Sequence, residues 1–227
     1  MRSNIEANLK QPTRKGKRAL TLFAAIAAVG LSGCATGVRV KDTTRTFQTV
    51  VIDAGHGGHD AGARSRWAGA EKGHALDVAL RLDPKLRAAG FKTVLTRCTD
   101  TFIELNDRAR ISNRQDNAVF VSIHFNDSRK RGIAGTEVYY KSSVSRPLAD
   151  RILAKVRALP GASGRYVKTA NFRVLRLNEY PAVLVECGYL SNRREGALCA
   201  TGTHHERLAQ AIAAALVEQR RPLTATP

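Results

Sequence analysis

Three stretches of this chain decide its fold: VVIDAGHGG at residues 50–58, VFVSIHFND at 119–127 and AVLVECGYLSN at 182–192. Each is rich in apolar, β-branched residues, as is typical of a buried strand. Each also leads into a residue that can bind a metal or move a proton, namely His56, His124 and Glu186. Ligands collect outside the carboxyl ends of strands in an open α/β sheet, so we expect these side chains to share one crevice. The pattern indicates an enzyme.

Strand-like and helix-like segments alternate along the chain, which predicts one α/β domain with a largely parallel sheet and helices on both faces. Inside the first predicted helix, Pro84 predicts a kink or a break near Leu82, because proline removes a backbone hydrogen bond. The predicted strands are 48–53, 92–97, 118–123, 134–140, 173–176 and 182–186, and the predicted helices are about 72–89, 104–114, 146–159 and 204–218.

The first 33 residues have the features of an export signal. Basic residues precede an apolar run, Ala19 to Gly33, that ends in Leu-Ser-Gly before Cys34. This ending resembles the lipobox of bacterial lipoproteins, which implies cleavage before Cys34 and acylation of its thiol. Ordinary secretion and a transmembrane anchor are alternatives, although the run is shorter than the roughly 20 apolar residues that a span needs.

The domain boundaries follow from this interpretation. We expect a lipoprotein signal peptide at 1–33, a lipidated tether at 34–47, a catalytic domain at 48–220 and a disordered tail at 221–227. Ala35, rather than Asp, follows the cysteine, which in a Gram-negative host favours the outer membrane, facing the periplasm. The expected location is therefore the cell envelope, with lipid on Cys34 as the membrane contact.

The chain is strongly basic, with 37 Lys and Arg against 19 Asp and Glu and a formal charge of +18. Such a charge favours anionic partners such as lipid headgroups or wall polymers. Nucleic acid is not expected as a partner, because the tyrosines do not interleave with basic residues as a stacking platform would. A merely solvated basic surface is the alternative.

Apart from Cys34, the cysteines are Cys98, Cys187 and Cys199. In an oxidising compartment two of them could pair, with Cys187 and Cys199 slightly favoured because both lie near the last strand. No C-x-x-C spacing is present, which excludes a thiolate zinc knuckle.

Two histidines and one carboxylate form a candidate metal set: His56, Glu71 and His124. Taken singly, each has an ordinary explanation; for example, Glu71 begins a helix, where the dipole alone favours a carboxylate. Together they match the His₂Glu set of catalytic zinc, which keeps a fourth position free for water. The Gly-rich turn at His56 lacks a phosphate-loop pattern, which makes phosphate binding the weaker interpretation.

Glu186 ends a buried strand, where an unpaired carboxylate is costly. We interpret it as the general base that faces zinc-bound water and passes the proton to a leaving amine. A salt bridge to Arg108 is the structural alternative. Four further histidines are interpreted as surface residues: His59, His74, His204 and His205.

Five segments together resemble the successive motifs of the type 3 N-acetylmuramoyl-L-alanine amidases, which are zinc-dependent cell-wall hydrolases. In chain order they are VVIDAGHGGHDAGA, EKGHALDVALRL, LNDRARISNRQDNAVFVSIHFND, ANFRVLR and PAVLVECGYLSN. The resemblance covers roughly residues 48 to 218. Carried over by position, the family's zinc ligands fall on His56, Glu71 and His124, and its catalytic glutamate falls on Glu186.

The resemblance implies further properties. The substrate would be the amide between N-acetylmuramic acid and L-alanine in peptidoglycan, and the fold would be phosphorylase/hydrolase-like with a mostly parallel six-stranded sheet. Asn126 and Arg108 are candidates for contacting the substrate or supporting the site. Pro84 and Phe125 depart from the family pattern, and Phe125 is expected to narrow the cleft.

Some members of this family have a helix that plugs the zinc site. The stretch from Tyr140 to Asn171 leaves little room for one, so we expect activity without an activator. The protein is also expected to be a monomer. A different zinc peptidase or deacetylase and a non-catalytic wall-binding lipoprotein are the alternative functions.

Overall fold

Residues 38–220 are described by the structure, a computed structural model, and they are organised around one six-stranded sheet. The expected signal peptide at 1–33, the acylated Cys34, the first part of the tether and the tail at 221–227 lie outside the described residues. None of the helices within 38–220 is both long and apolar enough to cross a membrane.

The strands of the described residues are β1 (Thr49–Ala54), β2 (Arg64–Ser65), β3 (Gly69–Ala70), β4 (Lys92–Leu95), β5 (Ala118–Asn126), β6 (Thr136–Tyr140), β7 (Gly164–Thr169) and β8 (Ala182–Tyr189). Six of them form the main sheet in the order β4-β1-β5-β8-β6-β7. Neighbouring strands are parallel except for β8 and β6, which pair antiparallel, so the predicted mostly parallel sheet is confirmed. A separate two-stranded hairpin, β2 and β3, precedes the first helix.

Helices cover both faces of this sheet, as expected. The helices are α1 (Glu71–Ala88), α2 (Leu105–Asn113), α3 (Arg146–Arg157), α4 (Arg173–Arg176), α5 (Arg193–Cys199) and α6 (Gly202–Arg220). The larger apolar cluster joins one face to α1, α3 and α6, and the smaller cluster joins the other face to α2 and α4. Alternate residues of β1, β5 and β8 enter different clusters, as the pleat requires.

Several local predictions were wrong. Helix α1 continues through Pro84, so the break expected near Leu82 is absent, while the kink that was the other expectation stays a prediction. The buried stripe of α1 includes Leu82 and Leu86, and this core packing offsets the lost hydrogen bond. Residues 173–176 form the short helix α4 rather than a strand. The missed strand β7 is half-exposed at the sheet edge, with no apolar alternation to reveal it.

The predicted tether extends to residue 47, but its last residues pack against the folded domain. The hydroxyl of Thr43 donates to the carbonyl of Ala118 at 2.5 Å, and Gln219 donates to the carbonyl of Thr44 at 3.3 Å. Phe47 is fully buried and stacks on Phe91 at 5.3 Å. Residues 43–47 therefore belong to the folded domain.

Two predicted surface histidines are buried. His204 is 2% exposed and His205 is 4% exposed, because the first turns of α6 pack against α1 and α5. His205 lies between the carboxylate of Asp77 and the carbonyl of Cys199, each at 2.6 Å. His59 is exposed, as expected, and His74 is half-buried.

The favoured disulfide between Cys187 and Cys199 is not formed. Both thiols are buried and free, and Cys98 is exposed and free. Burial raises the pKa of the Cys187 thiol well above its usual value, which keeps it protonated and unreactive.

Candidate metal centre

Three side chains from separate elements meet at the carboxyl edge of the sheet. His56 follows β1, Glu71 is the first residue of α1, and His124 lies near the end of β5. Nε2 of His56 is 3.0 Å from Oε1 of Glu71, and Nδ1 of His124 is 2.9 Å from the same oxygen. The three ligand atoms all lie within 4.8 Å of one another, so a single metal ion can be held among them.

The backbone at His56 is strained in a way that aims its ring. His56 has φ of 60°, a left-handed conformation that non-glycine residues rarely adopt. Strain of this kind persists only where the surrounding structure maintains it, and it clusters at functional sites. Asp60 stabilises the arrangement, because its Oδ2 lies 2.8 Å from Nδ1 of His56 and leaves Nε2 to face Glu71.

Two glycines leave room for this arrangement. A Cβ at Gly62, where φ is 64°, would lie 2.5 Å from Oε2 of Glu71 and 2.6 Å from Cδ2 of His56. A Cβ at Gly55 would lie 2.4 Å from the ring of His124. Any larger residue at either position would displace a candidate ligand.

The carboxylate of Glu71 is fixed by backbone donors. Its Oε2 accepts from the amide of Ala63 at 2.8 Å, and its Oε1 accepts from the amide of Phe125 at 2.9 Å. Burial acts to raise the pKa of Glu71, but hydrogen bonds from His124 and His56 hold it well below the usual range. Glu71 is therefore ionised at neutral pH, as a metal ligand must be.

Arg108 supports the loop that carries His56. Its guanidinium donates to the carbonyl of His56 at 2.7 Å and to Oδ1 of Asp53 at 2.8 Å, and both Arg108 and Asp53 are buried. The salt bridge from Arg108 to Glu186 that the sequence allowed is not formed. Asp53 also accepts from the hydroxyls of Thr96 and Ser122, so one buried carboxylate of β1 joins β5 and the residue that follows β4 beneath the site.

Glu186 lies opposite His124 in the register of β8 and β5. Its Oε2 is buried and has no hydrogen-bond partner among residues 38–220. Burial raises the pKa of Glu186 to about 7. A buried carboxylate oxygen without a partner is costly, which indicates that it faces a ligand in the functional state.

A cleft of about 710 Å³ contains all four of these side chains. Asn126 lines the same cleft, and exposed apolar groups such as Leu105 and Phe172 form part of its wall. Phe125 lines the cleft as well, and its ring lies near those of His74 and His205 beneath α1 and α6, so the expectation that it narrows the cleft stays a prediction. The sequence had not singled out Asp53 or Asp60, although Asp60 lies four residues after His56 in the same glycine-rich motif.

Comparisons with known proteins show to which family the chain belongs. The family model Amidase_3, described as N-acetylmuramoyl-L-alanine amidase, matches residues 50–218. The chain belongs to this amidase family. Among solved structures, the catalytic domain of the amidase CwlV from Paenibacillus polymyxa is 38% identical, with a TM-score of 0.73 over 76% of this chain and 97% of that one.

Curated relatives in the amidase family are longer than the matched region. N-acetylmuramoyl-L-alanine amidase LytC of Bacillus subtilis is 36% identical over 169 residues, which are 73% of this chain and 34% of the relative. The probable cell wall amidase LytH of Staphylococcus aureus is 33% identical over 167 residues, 73% of this chain and 56% of the relative. The amidase CwlD of Clostridioides difficile, solved in complex with the GerS lipoprotein, is 29% identical, with a TM-score of 0.72 over 76% of this chain and 98% of that one.

Proposed function

We propose that this chain is a zinc-dependent amidase that cleaves the bond between the lactyl group of N-acetylmuramic acid and L-alanine in peptidoglycan. The observation that carries the proposal is the arrangement of four side chains in one cleft. Three can hold a single metal ion, and the fourth, Glu186, presents a buried oxygen without a partner. Membership of the amidase family supports the choice of substrate.

The donor set fits zinc. Two imidazole nitrogens and one carboxylate oxygen make a three-ligand site of the kind found in catalytic zinc enzymes. The contact between Asp60 and the ring of His56 supplies the outer carboxylate that fixes the tautomer of a metal-bound histidine. When bound here, Zn²⁺ would supply Lewis acidity for the attack of water on the amide carbonyl.

Glu186 handles the proton in this proposal. Its Oε2 accepts a proton from the attacking water and delivers it to the leaving nitrogen, so the amide bond breaks and the peptide leaves with a neutral amine. The absence of a competing partner within residues 38–220 keeps this oxygen free for the role. Asn126, on the wall of the cleft, is proposed to donate its side-chain amide to the substrate.

The amino-terminal sequence supports a location in the cell envelope. We infer that residues 1–33 are removed and that lipid on Cys34 anchors the chain in the outer membrane, facing the periplasm. The strongly basic composition favours contact with anionic envelope polymers.

We also propose a monomer that works without an activator. Most of the stretch between Tyr140 and Asn171 forms α3 and β7. Helix α3 buries Leu148, Ile152 and Val156 in the core, so this stretch supports the sheet. Activity of the purified domain on sacculi without a second protein tests this point.

Digestion of purified sacculi tests the activity. The soluble protein, beginning at Thr36, should release intact stem peptides with a free L-alanine amine and leave intact glycan, as read by mass spectrometry. A chelator should abolish release and added zinc should restore it. His124→Ala should lose the metal together with activity, whereas the exposed His59→Ala, in the same glycine-rich segment, should keep both.

The same digestion separates the alternatives. Fragments cut within the stem peptide would indicate a peptidase, and deacetylated glycan with its peptides still attached would indicate a deacetylase. Sacculi that are bound but unchanged would indicate a wall-binding protein. Each of these results would overturn the proposal.

A further inference from the structure

Apart from the cleft at the metal centre, the described residues form a concavity of about 550 Å³ that is rich in arginine. We call it the arginine groove, lined chiefly by Arg64, Arg66, Trp67, Arg131 and Arg193. These residues come from three segments: the β2–β3 hairpin that leads into Glu71, the loop after β5, and the start of α5, which follows β8. Each segment is close along the chain to the site, because Arg64, Arg131 and Arg193 each stand seven residues from a candidate ligand or from Glu186.

Hydrogen bonds fix the three segments to one another. The hydroxyl of Ser65, in the hairpin, donates to the carbonyl of Leu190 at 2.5 Å. The amide of Ser128 donates to the hydroxyl of Ser191 at 2.9 Å, and the side chain of Asn192 donates to the carbonyl of Arg131 at 3.0 Å. The groove is therefore held in shape by contacts beneath its charged side chains.

Two of the four arginines lie against the indole of Trp67. The guanidinium of Arg66 lies 4.2 Å from the ring centre and that of Arg193 lies 5.5 Å from it. An arginine stacked on an aromatic ring keeps its N–H edge free for a bidentate contact with a carboxylate or a phosphate. Within residues 38–220, Arg131 is the one arginine of the groove with a carboxylate partner, Asp127 at 3.4 Å.

We propose that the arginine groove binds a carboxylate of the peptide part of the substrate. This inference rests on the proposed function. The lactyl carboxyl group of the sugar forms the amide that is to be cleaved, so the sugar side of the substrate brings no negative charge to the site. The peptide side ends in a carboxylate wherever it is not cross-linked, and its chain continues from the scissile bond.

The chemistry of the groove favours this ligand over a neutral one. The four guanidiniums attract an oxyanion, because among the described residues the single carboxylate that pairs with any of them, Asp127, lies 3.4 Å from Arg131. The planar fork of an arginine also matches the geometry of a carboxylate. A phosphate polymer offers similar chemistry but has no covalent link to the scissile amide. The three segments that form the groove lie close along the chain to residues of the cleft. A peptide that is part of the substrate can therefore occupy the groove while its scissile amide lies in the cleft.

A matched pair of substrates tests the inference. Two muramyl peptides of the same sequence, one with a C-terminal carboxylate and the other with a C-terminal carboxamide, are compared by steady-state kinetics. The wild type should show a KM about tenfold lower for the carboxylate, the size expected of two exposed charge contacts. Arg66→Gln/Arg193→Gln should raise KM for the carboxylate to that for the carboxamide, with kcat unchanged.

The control variant removes the same charge elsewhere. Lys92→Gln/Arg114→Gln changes two exposed residues at the amino end of the sheet, where β4 begins and α2 ends. It should keep the wild-type preference. Equal KM values for the two substrates in the wild type, or equal loss in both double variants, would overturn the inference.

Trp67 gives a second readout that needs no turnover. It is the only tryptophan of the chain, so tryptophan fluorescence reports on the groove directly. Titration with the free peptide acid should give a saturable change that the peptide amide and the Arg66→Gln/Arg193→Gln variant do not give. If neither substrate is cleaved, the proposed function fails, and this titration still decides about the groove. A response to inorganic phosphate but not to the peptide acid would overturn the inference.

Discussion

Asp60 should determine how tightly the site holds its metal, because it fixes the ring of His56. Its Oδ2 lies 2.8 Å from Nδ1 of His56, and its Oδ1 accepts from the amide of Gly62 at 3.1 Å. Loss of such an outer partner typically weakens metal binding about 10- to 100-fold. The side chain of Asp60 is 42% exposed, so water can replace part of the contact. We therefore expect Asp60→Ala to weaken zinc binding about 10- to 30-fold, or about 1.4–2 kcal/mol.

Competition against a chromophoric zinc chelator measures this change directly. The matched control is Asp127→Ala, which removes an exposed carboxylate that also lines the cleft. The control should change zinc affinity by less than about twofold, since exposed charges interact weakly through water. Equal affinities in wild type and Asp60→Ala, or equal losses in both variants, would refute the reasoning, because neither result follows from orientation of the ring.

Three further predictions follow from the packing around the site. Gly62→Ala should lower the zinc content of the purified protein, measured by atomic emission, because the added Cβ would collide with two candidate ligands. The control, Gly69→Ala, also changes a residue with a positive φ, but among the described residues a Cβ there meets no atom beyond its chain neighbours within 4 Å, so this variant should keep its zinc. Arg108→Met should lower the free energy of unfolding in urea by about 3–5 kcal/mol, because it leaves the buried carboxylate of Asp53 without its charged partner. The control, Arg110→Met, removes an exposed ion pair with Asp107 and should lower the free energy of unfolding by less than about 1 kcal/mol. Burial lowers the pKa of His204 from 6.5 to about 4, so the unfolded state binds the proton more readily than the folded state. The free energy of unfolding should therefore fall as the pH drops from 6.5 to about 4, by about 2–3 kcal/mol at the acidic end of this range. In His204→Leu this dependence should be absent from urea curves recorded at pH 7 and pH 4.5.

The parts of the fold that the sequence predicts are those with strong burial patterns. Strands β1, β5 and β8 are buried nearly throughout, so their apolar runs are continuous and their ends are clear. Because the carboxyl ends of parallel strands meet at one edge, the runs also predict that His56, His124 and Glu186 lie together. The structure brings these three into one cleft.

The errors come from segments where tertiary contacts override local pattern. Residues 173–176 are apolar enough for a strand, but Val174 and Leu175 pack as one helical turn against the smaller core cluster. The roles of Asp53 and Asp60 depend on partners that single-sequence patterns do not show, such as Arg108 reaching from α2. The burial of His204 likewise depends on packing around α6.

The central claim is that Glu186 moves the proton while three other side chains hold the metal. Glu186→Gln keeps the shape of the side chain and removes its capacity as a base. Peptide release from sacculi and zinc content, measured on the same preparation, test this most directly. We expect one zinc per chain, as in the wild type, with release slowed about 10²- to 10⁴-fold. A Glu186→Gln protein that retains more than about a tenth of wild-type release, or that has lost its zinc, would contradict the account.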